Sequence, residues 1–131
     1  MRQGLDGLGV QVRDPEQAVG TLSGGERQSL AIARAVHRGA KLLILDEPTA
    51  ALGVAQTTLV LKSVRRLRDH GLSVVLITHN VRHAYAVGDR FSVLDRGRLC
   101  GTFAHDEIAL AALQDLMAGG KGVEDLSGEL R

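Results

Sequence analysis

The sequence predicts an α/β fold in which parallel core strands are flanked by helices and followed by a β-hairpin and a last helix. Two short apolar runs, residues 41–46 and 73–78, are bounded by turn-forming residues and have the length of strands that are buried on both faces. A segment with helical periodicity, residues 54–70, separates them. A strand, a helix and a second strand in succession predict a right-handed crossover and parallel pairing.

Composition favours one soluble globular domain. The chain has 131 residues, of which 44% are hydrophobic and 24% charged, and its formal net charge is +1. This length matches a single domain of about 100–150 residues. The balanced charge gives no general reason to expect nucleic acid as a partner. No signal peptide is expected, no apolar run reaches the ~20 residues of a membrane helix, and the single cysteine cannot form an internal disulfide.

Cap and turn residues predict the elements of the first half. Residues 1–21 are expected to be a polar lead-in. Ser23 and Glu26 form a capping-box pattern, which predicts a helix that runs to about residue 37 and ends before Gly39. The helix over residues 54–70 is expected to end before Gly71.

The second half is expected to contain shorter elements. A short helix is predicted to begin near Asn80, and residues 91–94 and 99–103 flank Arg96-Gly97 as the strands of a hairpin would. Asp106 is expected to cap a last helix that ends near residue 117, and residues 119–131 are expected to be a frayed tail.

Two acidic residues follow the first predicted strand. Four apolar residues and then Asp46 and Glu47 form the Walker B pattern. Because the carboxyl ends of parallel strands form the ligand-binding edge of a sheet, both carboxylates would be held there. One could hold Mg²⁺ through water while the other orients or deprotonates an attacking water. Taken alone, the pattern is more typical of an ordinary strand end.

The most specific pattern is Leu-Ser-Gly-Gly-Glu-Arg-Gln at residues 22–28, here called the signature segment. Consecutive glycines let backbone N–H groups approach a phosphate closely, and a helix N-terminus adds about half a positive charge. The alternative is a capping box with a glycine-rich lead. Thr78-His79 then follows the second predicted strand. In this order the three motifs resemble the C-terminal half of an ABC transporter ATP-binding domain, which is part of a P-loop NTPase fold.

The resemblance implies a role for each motif. Asp46 would hold Mg²⁺, Glu47 would be the general base, and His79 would contact the γ-phosphate of ATP. The signature residues would reach ATP held by an opposing subunit: Leu22, Ser23, Gly24, Gly25, Glu26 and Gln28. The D-loop of the family corresponds to Ala51, Leu52 and Gly53, and Gly53 stands where the family usually has aspartate.

The resemblance also implies a domain plan and partners. Residues 1–40 would end the helical subdomain, 41–105 would form the catalytic core, and 106–131 the C-terminal helix and tail. Residues 79–91 and 116–120 resemble bacterial carbohydrate importers. The expected partners are a second ATPase subunit, transmembrane permease subunits and, indirectly, a periplasmic or lipid-anchored sugar-binding protein, with no nucleic acid. The expected location is cytoplasmic, on the inner face of the plasma membrane.

The sequence departs from the family in one important respect. It contains no G-x-x-x-x-G-K-[ST], so the P-loop lysine and the hydroxyl that binds Mg²⁺ are absent from it. One hypothesis is therefore a fragment of an importer ATPase that is inactive alone. The alternative is a non-catalytic module that donates its signature segment to another ATPase. A lobe of a chromosome-maintenance ATPase is disfavoured, because no heptad run precedes Leu22.

Overall fold

The computed structural model describes residues 18–119. A single 3₁₀ turn, Val19–Thr21, precedes four helices and four strands. In chain order these are α1 (Gly24–His37), β1 (Leu42–Asp46), α2 (Val54–Asp69), β2 (Ser73–Ile77), α3 (Val81–Val87), β3 (Arg90–Asp95), β4 (Arg98–Ala104) and α4 (Leu110–Met117). The chain divides into two compact units between Ile77 and Thr78. The three-part plan expected from the family stays a prediction.

The sheet of the first unit has two parallel strands. β1 and β2 are in register from Leu42 opposite Ser73 to Asp46 opposite Ile77. The predicted parallel pairing is therefore confirmed. Because the two strands end opposite each other, the residue after β1 can continue the ladder by one bond. The N–H of Glu47 donates to the carbonyl of Ile77 at 2.9 Å, which fixes the start of the loop that carries the acidic pair.

Local signals define the ends of both long helices. Gly39 and Gly71 follow α1 and α2 with φ of 80° and 84°, a left-handed conformation that glycine adopts without a steric penalty. Both predicted helices are confirmed to within one residue of the expected ends. α1 packs on α2, and α2 packs on β2.

The core of the first unit lies between these helices and one face of the sheet. Its most completely buried side chains are Ile32 of α1 and Val60 and Leu67 of α2. Leu45 of β1 is the strand residue that is buried with them. With few aromatic residues available, branched aliphatic side chains fill this core, as the composition predicts.

The opposite face of the sheet is exposed to solvent. Side chains alternate between the two faces of a strand, and those on the second face are 46–61% exposed: Leu42, Ile44, Val75 and Ile77. β1 and β2 have the composition of strands that are buried on both faces in a complete sheet, and in a chain without a P-loop half part of this apolar surface is expected to stay uncovered. That expectation is confirmed in the described residues, where α2 lies against one face only. Apolar composition alone predicted burial, but burial also requires a second layer.

The second unit combines a hairpin with two short helices. The Asn80 side chain accepts from the N–H of His83 at 3.2 Å and begins α3. β3 and β4 pair antiparallel around Arg96-Gly97, as predicted. The core contains Phe91, Val93, Ile108 and Leu113. The hydroxyl of Tyr85, which is stacked on Phe91, donates to the carbonyl of Ile108 at 3.2 Å and ties α3 to the segment before α4.

The start of the last helix was predicted wrongly. α4 begins at Leu110 after Ala109, not at Asp106. Residues 105–107 form a turn instead, because the Glu107 carboxylate accepts from the N–H of Ala104 at 2.7 Å. The same turn is closed by a bond from the N–H of Glu107 to the carbonyl of Ala104 at 3.0 Å.

Two further expectations concern the chain ends. The polar lead-in up to residue 17 and the tail from residue 120 lie outside the described residues. Among residues 18–119, none of the helices is both long enough and apolar enough to span a bilayer.

The exposed sheet face gives a prediction about association. Four neighbouring aliphatic side chains on an open two-stranded sheet form an exposed apolar patch, which favours association. We expect the chain to self-associate at micromolar concentration, as measured by light scattering. Replacing Ile44 and Val75 with Thr keeps β propensity while removing apolar surface, and should reduce association. Leu99→Thr, at an equally exposed hairpin position, is the control. A monodisperse monomer that melts well above ~45–65 °C would contradict the expectation.

Candidate functional site

The signature segment forms the N-terminus of α1. The Ser23 hydroxyl accepts from the N–H of Glu26 at 3.3 Å, and the Glu26 carboxylate accepts from the N–H of Ser23 at 2.8 Å. The predicted capping box is therefore confirmed. Leu22 is buried, and its carbonyl accepts from the guanidinium of Arg27. These bonds hold the entry into α1 in one conformation.

Two backbone donors remain at this helix end. The first N–H groups of an α-helix have no acceptor within the helix. Those of Ser23 and Glu26 are satisfied by the capping box, whereas those of Gly24 and Gly25 have no acceptor among the described residues. Their direction along the helix axis and the positive end of the helix dipole favour an anion at this point.

The two glycines also permit close packing, which the sequence analysis did not foresee. A Cβ at Gly24 would lie 3.1 Å from Cδ2 of Leu52. A Cβ at Gly25 would lie 3.1 Å from Cβ and 3.3 Å from Cγ of Gln56. The N-terminus of α1 thus lies directly against the D-loop and the first turn of α2. A side chain at either position would have to displace Leu52 or Gln56 by a few tenths of an ångström.

The Walker B residues occupy a strained loop after β1. Asp46 is the last residue of β1 and is exposed, on the face shared by Leu42 and Ile44. Glu47 is half-buried and has φ of 44°, a conformation that costs a non-glycine residue about 1–3 kcal/mol. Its N–H bond to Ile77 and the bond from the N–H of Ala50 to its carbonyl at 3.0 Å hold it there.

The D-loop turns the chain into α2. Ala51 also has a positive φ, 59°. Gly53 is the residue before the helix and has no side chain that could cap it. A side chain of the first helical turn bonds back to it instead: Oε1 of Gln56 accepts from the N–H of Gly53 at 3.3 Å. Gln56 is the residue that sequence reasoning missed.

An open cleft lies between these segments. It has a volume of about 380 Å³. Gly24, Arg27 and Gln28 line it from α1, and Glu47, Pro48 and Leu52 line it from the loop after β1. The structure therefore brings the signature segment, one Walker B acid and the D-loop to one place, although they are separated in sequence.

His79 lies in the second unit. It follows β2 by two residues, is exposed, and precedes the cap residue Asn80. The N–H of Asn80 donates to the Thr78 hydroxyl at 3.1 Å, so the backbone around His79 is held by a local turn. The role expected for His79 stays a prediction.

The donor set around Asp46 fits magnesium that is shared with a phosphate ligand. In residues 18–119 there is no group of three or more His, Cys, Asp or Glu side chains that could hold a metal by itself. Mg²⁺ usually retains several waters and takes one or two carboxylates together with phosphate oxygens. An exposed carboxylate at a strand end meets that requirement.

Comparison with known proteins decides the family. The family model described as "ABC transporter" matches residues 1–50. Over 113 residues the chain is 42% identical to the xylose/arabinose import ATP-binding protein XylG of Sulfolobus acidocaldarius, which covers 86% of this chain. Over 101 residues it is 48% identical to the fructose import ATP-binding protein FrcA of Rhizobium meliloti, which covers 76% of this chain. The chain belongs to the ABC transporter family.

Solved structures agree with this assignment. The dimeric structure of MJ0796, a bacterial ABC transporter cassette, matches 79% of the residues of this ABC chain with a TM-score of 0.64 and 27% sequence identity. A structure of the same cassette in a post-hydrolysis state, bound to ADP and Pi, matches equally well. The expected fold class is thereby confirmed. The ABC chain spans 45% of XylG, 39% of FrcA and 45% of the cassette.

The tight packing at Gly25 gives a testable expectation. Gly25→Ala places a methyl group against the Cβ of Gln56 and should lower the free energy of unfolding by roughly 1 kcal/mol, since overpacking (~1–3 kcal/mol) exceeds the gain in helix propensity of about 1 kcal/mol. Urea denaturation would measure the change. Gly20→Ala is the control, because nothing lies within 4 Å of a Cβ there. Equal midpoints for the two variants would show that the helix end is not tightly packed.

Proposed function

We propose that this chain forms the signature-bearing part of an ABC importer ATPase that hydrolyses ATP to drive uptake of a small solute, a sugar. The relatives named above are sugar-import ATP-binding proteins, which supports the substrate class. The observation that carries the proposal is the pair of free N–H groups at Gly24 and Gly25 beside the loop of Asp46 and Glu47. In the proposed pair of subunits, these N–H groups face the ATP of the opposing subunit, while Asp46 and Glu47 face the ATP of their own subunit.

Each motif has a distinct chemical task in this proposal. The N–H groups of Gly24 and Gly25 and the Ser23 hydroxyl bind the γ-phosphate of ATP held by an opposing subunit. The Ser23 oxygen already accepts from Glu26, but its O–H can still donate. Glu47 accepts a proton from the attacking water, and Asp46 holds Mg²⁺. His79 contacts the γ-phosphate of ATP bound by its own subunit.

Charge stabilisation explains why these groups are needed together. Bound magnesium would offset the charge of the phosphate oxygens. Phosphoryl transfer depends mainly on positioning and on stabilising charge, and the strained backbone of Glu47 fixes the direction of the Cα–Cβ bond from which its carboxylate extends. The strained loop thereby supplies positioning before the ligand arrives.

The proposed partners follow from the same assignment. A second ATPase subunit faces the signature segment, as the dimeric cassette supports, and permease subunits hold the pair at the inner face of the membrane. A sugar-binding protein outside the membrane delivers the solute to the permease.

A second candidate is favoured by one observation on the sequence. Because the 131 residues contain no G-x-x-x-x-G-K-[ST], the chain could serve as a non-catalytic module that donates its signature segment to a complete ATPase. The two candidates differ in whether Asp46 and Glu47 act on any ATP, so substitution of Glu47 in an assembled ATPase distinguishes them.

We expect the 131-residue chain alone not to hydrolyse ATP. Asp46 and Glu47 can supply a metal ligand and a base, but nothing in the sequence cradles the α- and β-phosphates, and positioning accounts for nearly all of the rate. Release of phosphate from MgATP by the purified chain measures this. Turnover at the rate of an ordinary ABC ATPase that is abolished by Glu47→Gln would disprove the expectation.

The signature segment can be tested in a fusion that restores a P-loop half upstream of this chain. Ser23→Arg should fill the anion site with a bulky cation, and Gly25→Asp should place a carboxylate where the γ-phosphate binds, where like charges repel. Both variants should lose ATP hydrolysis and dimerisation but keep binding of ATP to each monomer.

The close packing of Gly25 requires a further control in that experiment. Gly25→Ala introduces the same Cβ without the charge, so the difference between Ala and Asp isolates electrostatic repulsion from the steric effect. If Ser23→Arg and Gly25→Asp both hydrolyse ATP at the rate of the unmodified fusion, the segment is only a helix cap and the proposed function is wrong.

A further inference from the structure

We infer that Gln56 is a positioning residue that couples the D-loop to the phosphate-binding end of α1 within one subunit. This inference rests on the proposed function, because it assumes that Gly24 and Gly25 bind phosphate. It assigns a role to a side chain that lies outside the signature, Walker B and D-loop motifs.

Gln56 has contacts in two directions. Its Cβ and Cγ lie 3.1 and 3.3 Å from the position that a Cβ on Gly25 would occupy. The stem of the side chain therefore supports the backbone of Gly25. At its far end, Oε1 accepts from the N–H of Gly53 at 3.3 Å. One half-buried side chain thus connects the second free N–H donor of the signature segment with the last residue of the D-loop.

The dependence on Gln56 follows from the residue at position 53. An aspartate at the position before a helix usually accepts from the N–H groups of the first turn. Gly53 has no such oxygen, and the side chain that bonds to its backbone N–H is Gln56. A shift of Gln56 therefore affects both motifs, because its stem packs against Gly25 while its amide oxygen bonds to Gly53.

Phosphate titration of the full chain tests the coupling. Inorganic phosphate is added to the ¹⁵N-labelled protein while NMR follows the amide shifts of Gly24 and Gly25 and the hydrogen exchange of the Gly53 amide. We expect phosphate to shift both glycine amides and to slow exchange at Gly53, whereas sodium chloride of equal ionic strength does neither. Binding at one end and protection at the other are linked only if the two sites are coupled.

Three variants identify the residue responsible. Gln56→Ala removes the acceptor, so exchange at Gly53 should become about fivefold faster, the effect of one hydrogen bond of average net strength, and phosphate should no longer slow it. Gln56→Glu keeps the stem and an acceptor oxygen and should restore protection of Gly53. Thr58→Ala, whose hydroxyl donates to the Val54 carbonyl on the exposed side of the same turn, should behave as wild type. A urea midpoint for each variant separates local opening from unfolding.

The outcomes separate this inference from the proposed function. If Gly24 and Gly25 do not respond to phosphate, the proposed anion site is wrong. If they respond while Gly53 exchange stays constant in the wild-type chain, the anion site stands and the coupling through Gln56 is wrong. If phosphate still slows Gly53 exchange in Gln56→Ala, the sites are coupled by another route and Gln56 is not the positioning residue.

Discussion

The arrangement of the first unit depends on how closely the N-terminus of α1 approaches the segment from Leu52 to Gln56. At both contact positions the α1 residue is a glycine, and the missing Cβ is what allows the approach. If side chains at Gly24 and Gly25 held the two segments further apart, the N–H groups of these glycines would no longer lie beside the loop that carries Glu47. Glycine in a helix normally costs stability relative to alanine. Here that loss accompanies a close contact that a Cβ would strain.

The parallel register of β1 and β2 supplies the second constraint. Because both strands end at the same level, the N–H of Glu47 donates to the carbonyl of Ile77. The chain must then reverse sharply to enter α2. The positive φ values of Glu47 and Ala51 result from this reversal. Such conformations persist only where surrounding structure over-determines them. The buried contacts of Val60 and Leu67 and the ladder bond at Glu47 provide that support on either side of the loop.

The sequence predicted those features that depend on local chemistry. The ends of α1 and α2 were foreseen because Ser23, Gly39 and Gly71 act on their own turns, and the signature and Walker B residues were recognised as motifs. Gln56 was not found. Its bond to Gly53 follows the capping-box spacing and could have been foreseen from the sequence, but its contact with Gly25 joins segments about thirty residues apart, which local patterns do not show. The one-sided burial of β1 was expected, but from the motif that the sequence lacks rather than from the strand itself. An apolar strand shows that packing of a second layer against it would be favourable, but not that such a layer is present.

The contact between Gly25 and Gln56 also has an electrostatic consequence. Both residues lie in the first turn of a helix, so the positive ends of α1 and α2 meet there, and like ends of two dipoles oppose each other. The first turn of α1 contains Glu26, whereas that of α2 contains no acidic residue and Gly53 supplies no carboxylate. An aspartate at position 53 would reduce the positive potential at this junction. With glycine there, the potential is left for a ligand to neutralise, and an anion bound at Gly24 and Gly25 would relieve the repulsion between the helix ends as well as satisfy the two N–H groups.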